Sequence, residues 1–285
     1  MSDENNEILE NQEIEQNETL NNNNEITVKK QKKVREKKKP VFKDYGLLPY
    51  QQEGRIEIGI DEAGAGTFFG SLFVAGVILP NNIKELMEAD GNVVIRDSKK
   101  MSQKKREYAE EFIKRNSIEW NIIEMTNRQV DDMNILQARL TGFHDVIRAC
   151  RNRPEKILID GDKFMDYYDE DDKYIEHECV IEGDNTYLSI AAASILAKTA
   201  QMRHIEEMVV RYPDLMKYDI QNNHGYGTSK HLNSIKENGV TPYHRLSFGI
   251  CRKYSNGRFE ERDKEKEIKK KEVNIKKYMF GEDEE

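Results

Sequence analysis

The sequence predicts an α/β domain: a mixed five-stranded sheet flanked by helices, with a helical C-terminal extension. Three apolar, β-rich stretches come early, at 55–61, 72–79 and 118–125, and from residue 127 onward short strands alternate with helical segments. Strands first and strand–helix alternation afterwards is the order of a mixed sheet covered on both faces. No repeat period competes with that reading.

The first stretch, Arg55-Ile-Glu-Ile-Gly-Ile60, runs into the adjacent carboxylates Asp61 and Glu62 and then into Gly64-Ala65-Gly66. Between the second and third strands, Ser102 is the expected N-cap of a helix with Tyr108, Ala109, Phe112 and Ile113 on one face. A longer helix is expected over 127–150, where Val130, Met133, Leu136, Leu140, Phe143 and Ile147 recur at helical spacing. The fourth and fifth strands, 156–160 and 178–182, bracket an acidic, tyrosine-bearing loop whose Asp162, Asp166, Asp169, Asp171 and Asp172 read as solvated surface acids. A helix over 187–211 is crowded with alanines that permit close approach to a sheet, and Pro213 closes it. A glycine-bounded loop at 223–228 leads to a short helix capped by Thr228 or Ser229 and ended by Asn238-Gly239.

The folded core is expected at 45–256, because the flanks cannot bury enough apolar surface to offset the entropy of ordering. Residues 1–44 read as a disordered tail, acidic and Asn-rich at first, then basic through the run at 29–39, and 257–285 as a charged tail, helical or disordered. Three cysteines, Cys150, Cys179 and Cys251, without a Cys-x-x-Cys pair argue against a disulfide framework or a zinc site. His224, His231 and His244 also lack zinc spacing, and structural hydrogen bonds are their expected role. No apolar run approaches the roughly 18 residues of a membrane span. A monomer in the cytoplasm is expected, or in the nucleus if the basic arm at 29–39 is an import signal.

Acids at the ends of buried strands carry the chemistry. Asp61 and Glu62 are joined by Asp160, after Lys156-Ile-Leu-Ile159, and by Asp184, after Cys179-Val-Ile181. An uncompensated buried carboxylate is penalised by several kcal/mol or changes protonation, so converging ones require a cation. An all-oxygen set suits Mg²⁺ or Mn²⁺. Two such ions roughly 3.5–4 Å apart serve an in-line phosphodiester displacement, which makes a nuclease the first expectation. The formal net charge of −8 excludes a wholly basic nucleic-acid binder. Phosphate contacts must then come from local patches such as Lys99-Lys100 with Lys104-Lys105-Arg106.

Seven blocks in register resemble the type 2 ribonuclease H family, ribonuclease HII. They are Gly59-Ile-Asp-Glu-Ala-Gly-Ala-Gly-Thr-Phe-Phe-Gly70, Asp97-Ser-Lys-Lys-Met-Ser102, Ile159-Asp-Gly161, Gly183-Asp184, Ser189-Ile-Ala-Ala-Ala-Ser-Ile-Leu-Ala-Lys198, Asn223-His-Gly-Tyr-Gly-Thr228 and His244-Arg-Leu-Ser-Phe248. Asn134-Ile-Leu-Gln137 resembles the family's mid-chain helix, and His231 matches a later position. The resemblance implies a ribonuclease H-like sheet and two-metal hydrolysis of RNA in RNA–DNA hybrids. It also implies incision at ribonucleotides embedded in duplex DNA, leaving 3′-hydroxyl and 5′-phosphate ends. By motif match, Asp61, Glu62, Asp160 and Asp184 would be both catalytic residues and ligands of two Mg²⁺ or Mn²⁺ ions, with Asp61 bridging them. Gly64, Ala65, Gly66, Lys99, Lys100, Ser189, Lys198 and Tyr226 would contact substrate, the glycines and Tyr226 at the sugar and the lysines at phosphates.

The family usually carries Arg where this chain has Ala65, and Gly64-Ala-Gly-Thr-Phe-Phe-Gly70 leans toward type 3 enzymes. A type 3-like preference for longer RNA stretches is therefore the alternative enzyme. A nucleic-acid-binding protein with lapsed catalysis is the alternative from another class, which the retention of all four carboxylates opposes. Ile275-Lys-Lys-Tyr-Met-Phe280 faintly resembles a sliding-clamp peptide but lacks its glutamine and spacing.

Overall fold

The computed structural model describes residues 14–20, 26–32, 43–258 and 260–268. In the N-terminal unit, β1 (Ile14–Leu20) pairs antiparallel with β2 (Ile26–Lys32), Ile14 opposite Lys32 and Leu20 opposite Ile26. Residues 1–13, 21–25 and 33–42 of the segment read as an N-terminal tail, residue 259, and 269–285 with the clamp-like peptide lie outside the described residues.

The unit from Phe42 onward is built on one mixed sheet. Its strands are β3 (Glu57–Ala63), β4 (Leu72–Ile78), β5 (Glu119–Met125), β6 (Lys156–Asp160), β7 (Tyr167–Tyr168) and β8 (Tyr174–Val180), in the order β5-β4-β3-β6-β8-β7. β3, β4 and β5 form an antiparallel meander, β6 and β8 add parallel to β3, and β7 turns back on β8. Six strands stand where five were expected, because the acidic loop folds onto the sheet edge as the two-residue β7. The last long strand also starts at Tyr174 and stops at Val180 instead of covering 178–182. Ile175 is its core-facing residue, whereas Ile181, read as strand, is 77% exposed.

Strand alternation divides the interior into two layers. Ile58 and Ile60 of β3, Val74 of β4 and Ile157 and Ile159 of β6 pack against α3 (Asn127–Met133) and α4 (Ile135–Arg148). Ala63, Ala75 and Val77 face the opposite way, onto α1 (Ile83–Asp90), α2 (Gln103–Asn116) and the long α5 (Leu188–Arg211). Each fully buried aliphatic side chain in these layers contributes about 1.5–3 kcal/mol. On α2 the expected Tyr108 is exposed, and Arg106 and Glu110 are buried in its place through hydrogen bonds.

The helix expected over 127–150 is two helices. Asn134 adopts a left-handed φ of 71° and its side chain caps α4 by accepting from the Gln137 amide at 3.1 Å. Apolar spacing continues through that break, so periodicity alone does not reveal it. Leu136, just beyond, is left partly exposed.

α5 lies against β3 and β4 because Gly59 admits it. A Cβ at Gly59 would stand 2.3 Å from the Ser189 carbonyl carbon and 2.4 Å from the Ile190 nitrogen. Past the sheet, α5 joins the C-terminal helical part, made of α6 (Ile220–Asn223), α7 (Ser229–Asn238) and α8 (Gly249–Lys253) around Phe69, Ile205, Tyr218 and Ile235. Thr228 caps α7 through the His231 amide, and Gly239 ends it. Residues 260–268 are helical, and Arg262 there pairs with the buried Asp131 at 2.9 Å.

Candidate active site

The parallel register of β3 with β6 decides which acids meet. Ile60 is level with Ile159, so the next residues, Asp61 and Asp160, stand side by side at the strand ends. β8 is level with β6 through Asp160 and Val180, and a left-handed residue, Glu182 (φ 53°), turns the chain into a short 3₁₀ segment, Gly183–Asn185, bearing Asp184. Gly183 donates its amide to Asp160 Oδ1 at 2.7 Å, which ties that turn to β6. Alternation along β3 then sends Asp61 toward α5 and Glu62 toward α4. Ser194 of α5 stands beside Asp61, where its hydroxyl favours the ionised carboxylate, and shares a hydrogen bond with Ser98 at 3.0 Å. Arg139 of α4 grips Glu62 through Nε at 2.9 Å and NH2 at 3.2 Å.

The electrostatics are those of a site with surplus negative charge. Burial, then Glu62 and Asp160, push the Asp61 carboxyl well above the usual carboxylate range, against the Ser194 hydroxyl and Glu62 amide. Burial raises Glu62 although Arg139 opposes it, and burial with Asp97 and Asp160 raises Asp184. Burial opposes the charge on Lys99, yet Asp184, Asp61, Asp97 and Asp160 together hold its ammonium above the ordinary lysine value. Groups so crowded and dry stay ionised only beside added positive charge.

Among the described residues, no three His, Cys, Asp or Glu side chains stand in metal-ligand geometry. Each carboxylate is taken up by a protein donor: Glu62 by Arg139, Asp160 by Gly183, Asp61 by its neighbour's amide at 2.7 Å, and Asp184 by Asn185 at 3.1 Å. The donor set nonetheless fits a hard divalent cation by its chemistry, with carboxylate oxygens from three adjoining segments and raised proton affinities that a cation would relieve.

Beside the acids opens a cleft of about 490 Å³. Gly64, Ala65 and Gly66 form one wall, and Lys99, Lys198 and Tyr226 another. Gly64 has φ +92°, and a Cβ there would press on the Ser71 carbonyl at 3.0 Å. Tyr226 lies between two glycines, 40% exposed, with the Lys198 ammonium 5.4 Å from its ring centre. Burial, with Arg106 and Lys99 nearby, draws the Lys198 ammonium down to about 8. Lys100 sits at the rim, paired with Asp97 at 3.1 Å and in reach of Asn185 at 3.3 Å.

Ser189 is the exception among the expected contacts. It is buried beneath Gly59 at the β3–α5 contact, where no substrate reaches, because the close helix approach covers it. Five residues further along α5, Ser194 lines the cleft and favours the ionised form of Asp61. Arg139 and Asp97 join Ser194 as site residues outside the expected set. Asp97 caps the Lys99 turn by accepting its amide at 2.9 Å, a role the Asp97-Ser-Lys-Lys spelling announces. Arg139 carries no local signal, since only the fold brings α4 beside Glu62. His231 and His244 hydrogen-bond to each other at 3.0 Å, as expected of structural histidines.

Residues 58–251 match the family model described as Ribonuclease HII. A ribonuclease HII of Parabacteroides distasonis is 43% identical over 204 residues, which is 72% of this chain and 95% of that protein. Among solved structures, the ribonuclease H2 of Pyrococcus horikoshii OT3 matches with TM-score 0.56 at 23% identity, over 72% of this chain and 98% of that one. Bst-RNase HIII in complex with Mn²⁺ matches with TM-score 0.52 at 18% identity, over 72% of this chain and 71% of that one. Both structures share the fold of a mixed sheet under flanking helices. With a family model covering most of the folded unit and a relative this similar along nearly its whole length, the chain belongs to the ribonuclease HII family.

Proposed function

We propose that this protein is a metal-dependent endoribonuclease that hydrolyses the RNA strand of RNA–DNA hybrids and incises at ribonucleotides embedded in duplex DNA. The observation that carries the reading is the meeting of Asp61, Glu62, Asp160 and Asp184 at one end of the sheet, three of them raised by burial and mutual repulsion. Family membership supplies the ribonuclease H class, and the Mn²⁺ complex of Bst-RNase HIII supports a divalent ion.

The four carboxylates would hold two Mg²⁺ or Mn²⁺ ions, and Asp160 is the one that repels each of the other three. The chemistry such ions supply when bound is activation of a water and stabilisation of the departing 3′ oxygen at a phosphodiester, so that 3′-hydroxyl and 5′-phosphate ends result. Lys99, Lys100 and Lys198 hold phosphates next to the scissile one. The backbone of Gly64–Gly66 approaches the ribose, where a 2′-hydroxyl distinguishes RNA from DNA, and Tyr226 packs on the adjoining sugar. Glu62 must leave part of its pairing with Arg139 to serve as a ligand, which frees the guanidinium for the substrate backbone.

Ala65 favours a second reading, preference for runs of ribonucleotides over a single one. Its methyl gives the cleft no side-chain donor between the two glycines. Cleavage of duplexes carrying one or several ribonucleotides, with Mg²⁺ and Mn²⁺ compared, separates the two. Asp160→Asn should abolish cutting and leave hybrid binding in place. An unmutated protein that binds these duplexes but cuts none with either ion would sink the hydrolase and leave a binding protein.

A further inference from the structure

Behind Tyr226 lies a chain of hydrogen bonds that the chemistry above does not use. His231 and His244 are both fully buried, and their Nε2 atoms are 3.0 Å apart. The Thr241 amide donates to His244 Nδ1 at 3.0 Å. The Thr241 hydroxyl stands 2.8 Å from the same nitrogen and itself accepts from the Tyr243 amide, so its proton is free to point there. His244 Nδ1 is therefore an acceptor, and its proton sits on Nε2. That proton goes to His231 Nε2, which leaves His231 protonated on Nδ1, 2.9 Å from the Tyr226 carbonyl. One arrangement of two neutral rings satisfies every partner. A second proton on either ring would set N–H against N–H.

The far end of this relay belongs to a tightly wedged loop. Gly225 accepts from the Phe68 amide at 2.8 Å. A Cβ at Gly227 would stand 2.4 Å from the Phe68 ring, and one at Gly225 2.8 Å from the Phe69 carbonyl. The Arg245 guanidinium, next to His244, donates to the Gly70 carbonyl at 3.0 Å and the Ala65 carbonyl at 3.1 Å. The glycine wall of the cleft is thus fastened to Arg245 and the Tyr226 loop to His231, with His244, bonded to His231 and adjacent to Arg245, joining the two.

We propose that His231 and His244 form a tautomer-locked positioning pair that fixes the Tyr226 loop against the glycine wall, so that sugar recognition at Tyr226 depends on the His231 Nδ1 proton. The inference rests on the proposed function of the cleft. Neutrality of both rings agrees with their burial, which lowers His231 and takes His244 down to about 3. The charged groups that act on them are Asp219 on His231 and Arg258 on His244, with each ring opposite the other.

The test uses the full chain. Two-bond ¹H–¹⁵N spectra of the substrate-free protein should place the proton on Nδ1 of His231 and Nε2 of His244, and any other pair of tautomers overturns the relay. His231→Phe removes the donor, and His231→Asn keeps an N–H near the Nδ1 position. On a duplex with one embedded ribonucleotide, His231→Phe should raise KM roughly fivefold to tenfold with less than about a twofold change in kcat. His231→Asn should restore most of that loss. In a Tyr226→Ala background His231→Phe should add almost nothing. Equal effects in both backgrounds, or no rescue by asparagine, would mean the pair only supports the fold. Wild-type protein that neither binds nor cuts the duplex but shows the predicted tautomers would overturn the cleft's function and leave the relay standing.

Discussion

Asp61→Asn should stabilise the protein in the absence of divalent cations and weaken it, relative to wild type, in their presence. Asp61 is 5% exposed. Its Oδ1 accepts the Glu62 amide at 2.7 Å, a role that an asparagine oxygen keeps. The substitution therefore removes charge and little volume. Two like charges ~5 Å apart repel by roughly 3 kcal/mol at an effective dielectric of about 20. Both Glu62 and Asp160 act on Asp61, while Lys99 offsets part of that repulsion. A net gain of about 1–3 kcal/mol follows at neutral pH. For a domain of this size that is a rise in Tm of roughly 2–10 °C.

The sign follows from linkage. A carboxyl raised in the folded state is penalised wherever the unfolded chain is ionised and the folded one resists ionisation, so the gain from Asp61→Asn grows as pH rises above the unfolded carboxylate value. It fades as pH falls through the unfolded carboxylate value of about 3.9, below which both states are protonated. Thermal unfolding in EDTA and in Mg²⁺ or Mn²⁺ reads the effect. Saturation at about a hundredfold over Kd should stabilise wild type by about 2.7 kcal/mol, and the variant by clearly less. A variant that melts below wild type in EDTA, or a wild type indifferent to both ions, would refute the reasoning.

Gly59→Ala should lower stability by about 2–3 kcal/mol, because the added Cβ meets the backbone of α5 rather than a movable side chain; a Tm within about 2 °C of wild type would show that helix and strand are not so close. Arg139→Met strips Glu62 of the one cation that lowers it most, so the acid limb of the pH–rate profile should move to higher pH, and kcat/KM should fall by more at about pH 6 than at about pH 8. Lys198 loses its charge as pH rises through about 8, so hybrid affinity should fall on going from neutral to alkaline pH by roughly tenfold. Lys198→Arg, which stays charged, should flatten that dependence, and an unchanged slope would remove Lys198 from the phosphate path.

Most of the sheet was legible in the residues. The runs at 72–79, 118–125 and 156–160 are bounded by turn residues and rich in β-branched side chains, and they became β4, β5 and β6 within a residue. β8 stands earlier than 178–182, since Cys179-Val-Ile181 looks more apolar than the alternating Tyr-Ile-Glu-His-Glu that forms it, and a strand next to the sheet edge needs only one buried face. The broken helix at Asn134 escaped for a like reason, its apolar spacing carrying straight through a residue that changes hand. For the site, acids next to glycines at strand ends pointed to Asp61, Glu62, Asp160 and Asp184. Their neighbours Arg139 and Ser194 are illegible, because they reach the acids from separate helices whose approach is set by packing, whereas the Asp97 cap is spelled locally. Ser189 shows the converse: it lies in the same block as Ser194, and only the helix phase against Gly59 decides which serine is covered.

Anomalous scattering from Mn²⁺ soaked into crystals with a non-cleavable RNA–DNA hybrid tests the carboxylate centre most directly. The predicted map holds two peaks roughly 3.5–4 Å apart, within bonding reach of oxygens from Asp61, Glu62, Asp160 and Asp184. Peaks elsewhere in the cleft, or a Glu62 still closed on Arg139 with the hybrid bound, would contradict it.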